Sequence, residues 1–161
     1  MSLWFTLLSA ASVIAYAMVG GVLLVFSDFV MRSLDLTKAK GGIEAMQVIN
    51  VEIMRSVFMP FFLGLAPVSL VIAVYAGITL EGTPARLLMA AGGLYLVGVF
   101  AVTVFGNVPL NNQLAVMDPA ASQTLGFWKN IYMTKWVNLN SFRTVASLVS
   151  AGLTLTALVI R

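Results

Sequence analysis

Two stretches of this sequence place polar side chains at spacings that could do chemistry within an otherwise apolar chain. The first is Gly106-Asn107-Val108-Pro109-Leu110-Asn111-Asn112-Gln113-Leu114. Asn107 and Asn111 are four apart and share a face if the helix continues through Pro109. If Pro109 breaks the helix, freed carbonyls and amide side chains converge at the same point. The second stretch runs from Trp128 to Arg143, and its Trp136, Asn140 and Arg143 are spaced by four and three on one face. An arginine at the lip of an apolar run could hold an anionic or phenolate-like oxygen with several N–H donors at once. The bland alternative is an aromatic belt at the membrane surface, with Trp128 and Tyr132 in it.

Two further clusters precede these. In Ser27-Asp28-Phe29-Val30-Met31-Arg32, Asp28 and Arg32 are four apart with the acid first, the favourable order for a helical ion pair. Asp28 could accept a proton at the membrane edge, or the pair could simply finish a helix. Glu44, Gln47 and Asn50, with Met54 beyond them, fall near one helical face. They could line a polar cavity or form a solvated face. We therefore take Asp28, Glu44 and Arg143 as candidate catalytic residues. Arg32, Gln47, Asn50, Asn107, Asn111, Trp136 and Asn140 are candidate ligand-binding residues. Glu52 and Arg55 read as a local surface pair.

Several chemistries are excluded. The chain has no cysteine and no histidine. It therefore has no disulfide, thiol nucleophile, CxxC redox centre, iron–sulfur cluster, imidazole ligand or histidine base. The carboxylates considered near the polar clusters, Asp28, Glu44, Glu52 and Asp118, show no spacing for a metal site, and none is expected. No phosphate loop, dinucleotide fingerprint or nucleophile elbow is present, and no cofactor is expected.

The elements that must hold these residues follow from composition. Hydrophobic residues make up 60% of the 161 and charged residues only 9%, against about 25% charged in a soluble domain. The excess apolar surface must face lipid. A crossing helix needs about 20 residues, and four runs approach this length, giving spans of about 3–27, 56–80, 85–106 and 141–160. The expected fold is an all-α integral membrane four-helix bundle, a single domain. Gly82-Thr83-Pro84 makes a tight turn between spans two and three, with Thr83 as the expected cap. Long, partly helical connectors after spans one and three fall together on the other side. Gly41-Gly42 is expected to break the first, and Asp118 to cap a helix in the second. Small residues on span four (Ser147, Ala151, Ser150, Thr154) and glycines on span three (Gly92, Gly93, Gly98) suggest close helix packing.

The long-connector side carries Arg32, Lys38, Lys40, Arg55, Lys129, Lys135 and Arg143, and the other side only Arg86 and Arg161. The positive-inside rule puts the long connectors in the cytoplasm and both termini outside, in a bacterial inner membrane. The net charge of +3 serves this orientation, and no nucleic-acid partner is expected. Residues 1–27 lack a basic residue ahead of the apolar run, so they read as a span rather than a cleaved signal.

Asn107-Val-Pro-Leu-Asn111-Asn112-x-Leu114, followed by Trp128, Trp136, Asn140 and Arg143, resembles the anthrone-oxygenase-like family of membrane proteins of unknown function. Met46-Gln47-x-Ile49-Asn50 and the first-span ending around Phe26 to Phe29 are similar to it too. The resemblance implies a four-helix membrane protein. Its fungal members are assigned to oxidation of anthrones by dioxygen without an evident cofactor. On this basis the chain is expected to be an oxidoreductase for a hydrophobic phenolic or quinone-like molecule. The alternative is a non-catalytic membrane protein that binds a lipid-like ligand or partner, or moves a small molecule. Membrane lipid and a hydrophobic small molecule are the expected partners, and the pattern leaves room for an oligomer.

Overall fold

Hydrocarbon offers no partner to a backbone N–H or C=O, so each apolar run must satisfy its own ladder as a helix. The structure, a computed structural model, describes residues 1–160 and holds no strand among them. Arg161, counted above for topology, lies outside the described residues. Four helices are long and apolar enough to cross a membrane: α1 (Leu3–Leu36), α3 (Phe58–Thr79), α4 (Gly82–Ala115) and α5 (Ser122–Val159). Between the first two lies α2 (Ala39–Glu52). Helix α1 packs on α5, α5 on α4, α4 on α3, and α3 on α1, which closes a ring of four.

The helices run well past the apolar runs at the connector end. The 34 residues of α1 span about 51 Å at 1.5 Å per residue, against a hydrocarbon core of about 30 Å. The 22 residues of α3 reach only about 33 Å. Above α3, the fourth column of the bundle is continued by α2, which turns back from the end of α1. A short 3₁₀ turn at Ile53–Arg55 joins the two pieces.

Small residues seat the ring. A Cβ on Gly92 would lie 2.4 Å from the Ser69 carbonyl oxygen, and one on Gly98 would lie 2.8 Å from the Ala146 Cβ, whereas Gly93 faces open space. Ser147 donates to the Tyr16 carbonyl at 2.8 Å and Ser150 to that of Ala91 at 3.0 Å. Ser69 donates to Leu65 O, so the Tyr16 hydroxyl is the donor in its 2.7 Å bond to Ser69 Oγ. These bonds tie α1, α3, α4 and α5 together where water is absent.

Local expectations fail in instructive ways. Gly41-Gly42 lies inside α2. A Cβ on Gly42 would fall 2.2 Å from the Leu34 carbonyl oxygen, so this glycine lets α2 fold back on α1, and the chain breaks at Thr37-Lys38 instead. Glu81, not Thr83, is the N-cap of α4, and Gly82 takes φ +74, a value only glycine adopts without strain. Asp118 accepts from the Ala120 N–H at 2.9 Å in a turn, and Ala121 precedes the helix. Asp28 and Arg32 form no ion pair. Among the described residues the ion pairs are Lys40–Glu44 and Glu52–Arg55. Both side chains are exposed, on and just after a π-helical turn at Phe26–Val30, and an exposed pair gains little. Further π turns occupy Tyr95–Ala101, Thr103–Asn107 and Trp128–Trp136.

Candidate functional site

Pro109 decides the geometry of the first polar stretch. It has no N–H to give to the turn before it. The widened turn Thr103–Asn107 leads straight into a regular helix from Val108, with the proline in its first turn. The helix therefore continues, and Asn107 and Asn111 both face the bundle interior, one fully buried and one partly.

They meet a cavity of about 440 Å³ at the long-connector end, a volume suited to a small organic ligand. Its walls are apolar on three helices: Val22, Leu23 and Phe26 of α1, Met46 and Ile49 of α2, and Phe58, Met59 and Phe62 of α3. The polar wall is made by Thr103, Asn107 and Asn111 of α4 with Trp136, Asn140 and Arg143 of α5, and Gln47 and Asn50 close it from α2. Exposed lining residues Val51, Met54, Val108, Asn112 and Ala115 mark its mouth.

Arg143 is the centre of the polar wall. It is 5% exposed, with its guanidinium carbon 5.8 Å from the Trp136 ring centroid. Nη1 donates to Thr103 Oγ1 at 2.8 Å, and Nη2 donates to Asn140 Oδ1. No carboxylate pairs with it among the described residues, and its Nε has no partner. A buried cation held only by neutral groups is costly unless an anion joins it.

The amides around it are oriented by their own bonds. Asn140 Nδ2 donates to the Leu23 carbonyl at 2.6 Å and to Ser27 Oγ at 2.7 Å, which leaves its oxygen for Arg143. Asn111 Oδ1 accepts from Tyr132 Oη at 2.7 Å and Trp136 Nε1 at 2.8 Å. With both oxygen lone pairs engaged, Asn111 presents its NH₂ as a donor at the cavity wall. Asn107 donates to the Trp136 carbonyl at 3.1 Å and keeps an unpartnered buried oxygen. Gln47 Nε2 donates to the carbonyls of Leu114 and Met117, closing the end of α4 and leaving its own oxygen free to accept. The wall therefore offers a cation and an amide donor, with two amide acceptors beside them.

The family model described as anthrone oxygenase matches residues 53–153, more than half of the chain. The chain belongs to the anthrone oxygenase family. No curated protein and no solved structure matches it. In this anthrone oxygenase family member, the matched stretch contains the whole α4–α5 polar wall, while Gln47 and Asn50 precede it.

Seven of the ten residues singled out from the sequence line the cavity: Gln47, Asn50, Asn107, Asn111, Trp136, Asn140 and Arg143. Asp28, Arg32 and Glu44 do not line it and are exposed. Glu44 pairs with Lys40 at 3.5 Å instead. Neither carboxylate is placed to take a proton from a molecule in the cavity. Trp128 and Tyr132 are buried, at 1% and 0% exposure, so neither belongs to a surface belt. Thr103, the second anchor of Arg143, escaped notice because a lone threonine in an apolar run carries no pattern. Asp35 escaped likewise, and it accepts from Trp128 Nε1 at 3.0 Å.

Proposed function

We propose that this membrane protein binds a flat, hydrophobic phenolic or quinone-like molecule in the cavity, and oxygenates it with dioxygen without a cofactor. The observation that carries this reading is the buried, carboxylate-free Arg143 at the centre of the polar wall of a cavity whose other walls are apolar. An anthrone-type ketone would place its oxygen at Arg143 and the Asn111 NH₂, which stabilise the enolate formed when the ring CH₂ loses a proton. With no carboxylate on the wall, that proton leaves to water at the mouth. The enolate carbon then bonds dioxygen, and the hydroperoxide loses water to leave a second ketone. One anthrone and one O₂ give one anthraquinone and one water.

The test is oxygen uptake by the purified protein with a panel of anthrones and hydroquinones. Uptake above the uncatalysed rate, lost in Arg143→Met and kept in Asp28→Asn and Glu44→Gln, supports the reading. No uptake with any of them overturns it. The lack of a lining carboxylate favours a second reading, a binder or carrier of the same class of molecule. In that case the ligand binds and Arg143→Met weakens binding, with no oxygen consumed. By charge asymmetry we place the cavity end on the cytoplasmic side of the membrane.

A further inference from the structure

Trp136, Tyr132 and Trp128 recur every four residues along the π-helical segment Trp128–Trp136, and their rings form a continuous stack. Trp136 and Tyr132 have centroids 6.0 Å apart with planes 16° from parallel, and Tyr132 and Trp128 are 5.3 Å apart at 13°. One end of the stack, Trp136, lines the cavity. The other end, Trp128, meets the exposed carboxylate of Asp35. Centroid separations of this size put neighbouring rings in direct contact.

The three polar hydrogens in the stack differ in what they face. Trp136 Nε1–H and Tyr132 O–H both point at the amide oxygen of Asn111, which is not a useful base. Asn50 gives Tyr132 a further donor, at 3.4 Å. Only Trp128 directs its N–H at a carboxylate. An electron vacancy on an indole becomes stable once the N–H proton is lost, so a vacancy entering at Trp136 comes to rest at Trp128.

We propose that this stack is an electron relay that drains one-electron oxidants from the cavity to the protein surface at Asp35. Trp136 gives an electron to a peroxyl radical, which becomes a peroxide anion and takes a proton from water at the mouth. The vacancy crosses Tyr132 to Trp128, whose Nε1 proton passes to Asp35. A surface reductant of the thiol or ascorbate class returns the electron, and Asp35 returns the proton. The source of the radical rests on the oxygenase reading, since peroxyl species form when carbon radicals meet dioxygen. The relay itself does not depend on that reading.

The test uses the full-length protein in detergent micelles with no anthrone present. A lipophilic azo initiator in aerated buffer supplies peroxyl radicals, and peptide mass spectrometry maps oxidised tryptophan. Trp4, at 52% exposure, reports the radical dose. The expected result is oxidation at Trp128 despite its burial. In Tyr132→Leu the Trp128 products fall to background and those at Trp136 rise, with Trp4 unchanged. In Asp35→Asn, a surface change that leaves the stack intact and keeps the assay decisive if Tyr132→Leu does not fold, products move from Trp128 to Trp136 and Tyr132. The relay is overturned by equal Trp128 oxidation in wild type and Tyr132→Leu, by an unchanged pattern in Asp35→Asn, or by no oxidation at Trp128 in the wild type. Failure of oxygen uptake with anthrones leaves each of these outcomes unaltered, so the two readings fail separately.

Discussion

Replacing Arg143 by methionine should remove function while leaving the fold intact. Arg143 is nearly fully buried, has no carboxylate partner among the described residues, and makes hydrogen bonds to Thr103 and Asn140 only. Methionine fills a similar volume without a charge to desolvate, and replacing buried ionic groups with apolar ones has changed stability from neutral to a gain of about 1–4 kcal/mol. Against this stands the orphaned Asn140 oxygen, at about 1–3 kcal/mol. Thr103 is not orphaned, because its hydroxyl still donates to Val99 O at 2.7 Å. The two effects oppose, so net stability should stay within about 3 kcal/mol of wild type. A ligand oxygen on the guanidinium makes a charge-assisted bond of about 1.5–3 kcal/mol, so affinity should fall roughly one to two orders of magnitude. Denaturant unfolding in mild detergent, followed by tryptophan fluorescence, gives the first number, and quenching of Trp136 by an anthraquinone gives the second. A loss of stability beyond about 3 kcal/mol, the cost of breaking a buried ion pair, together with unchanged quinone affinity, would falsify the argument. Arg143 would then be a structural cation balanced within the protein.

Asn111→Leu should weaken quinone binding by roughly tenfold, the worth of one hydrogen bond near 1.4 kcal/mol. Equal affinity in a titration would show that its NH₂ does not face the ligand. Gly92→Ala should destabilise the bundle by about 1–3 kcal/mol through overpacking against the Ser69 carbonyl, whereas Gly93→Ala should be tolerated, and comparable melting points for the two would contradict the α3–α4 contact. The absence of cysteine makes topology directly testable. A single cysteine at Asn130 should be shielded from a membrane-impermeant maleimide added to intact cells, and one at Thr83 should be labelled, with the reverse pattern inverting the proposed orientation.

The spans were legible because twenty apolar residues without charge have one stable state in lipid, and the tight turn at Gly82 because few sequences reverse a chain so sharply. Asn107, Asn111, Trp136, Asn140 and Arg143 were legible as polar groups too costly to leave unpartnered at that depth. What stayed hidden depends on neighbours in space rather than on spacing along the chain. Counting by 3.6 pairs Asp28 with Arg32, yet both side chains stay exposed and form no ion pair. The same counting puts Trp128, Tyr132 and Trp136 in one row but not their rings in a near-parallel stack. Gly42 was read by its propensity as a breaker, when its neighbour in space, the Leu34 carbonyl, decides its role. A glycine that ends a helix and one that admits a crossing backbone look alike until the partner is known.

The jointed fourth column has a consequence for how such a site can diversify. One side of the cavity's mouth lies at the break between α2 and α3, where Val51, Ile53, Met54 and Phe58 line it, and none of these is a hydrogen-bond partner of Arg143. Substitutions along the joint can reshape the opening for a wider or narrower molecule while α4 and α5 keep the charged anchor in place. Shape selection and charge recognition are thus inherited on different segments of the chain, so one can drift while the other stays fixed.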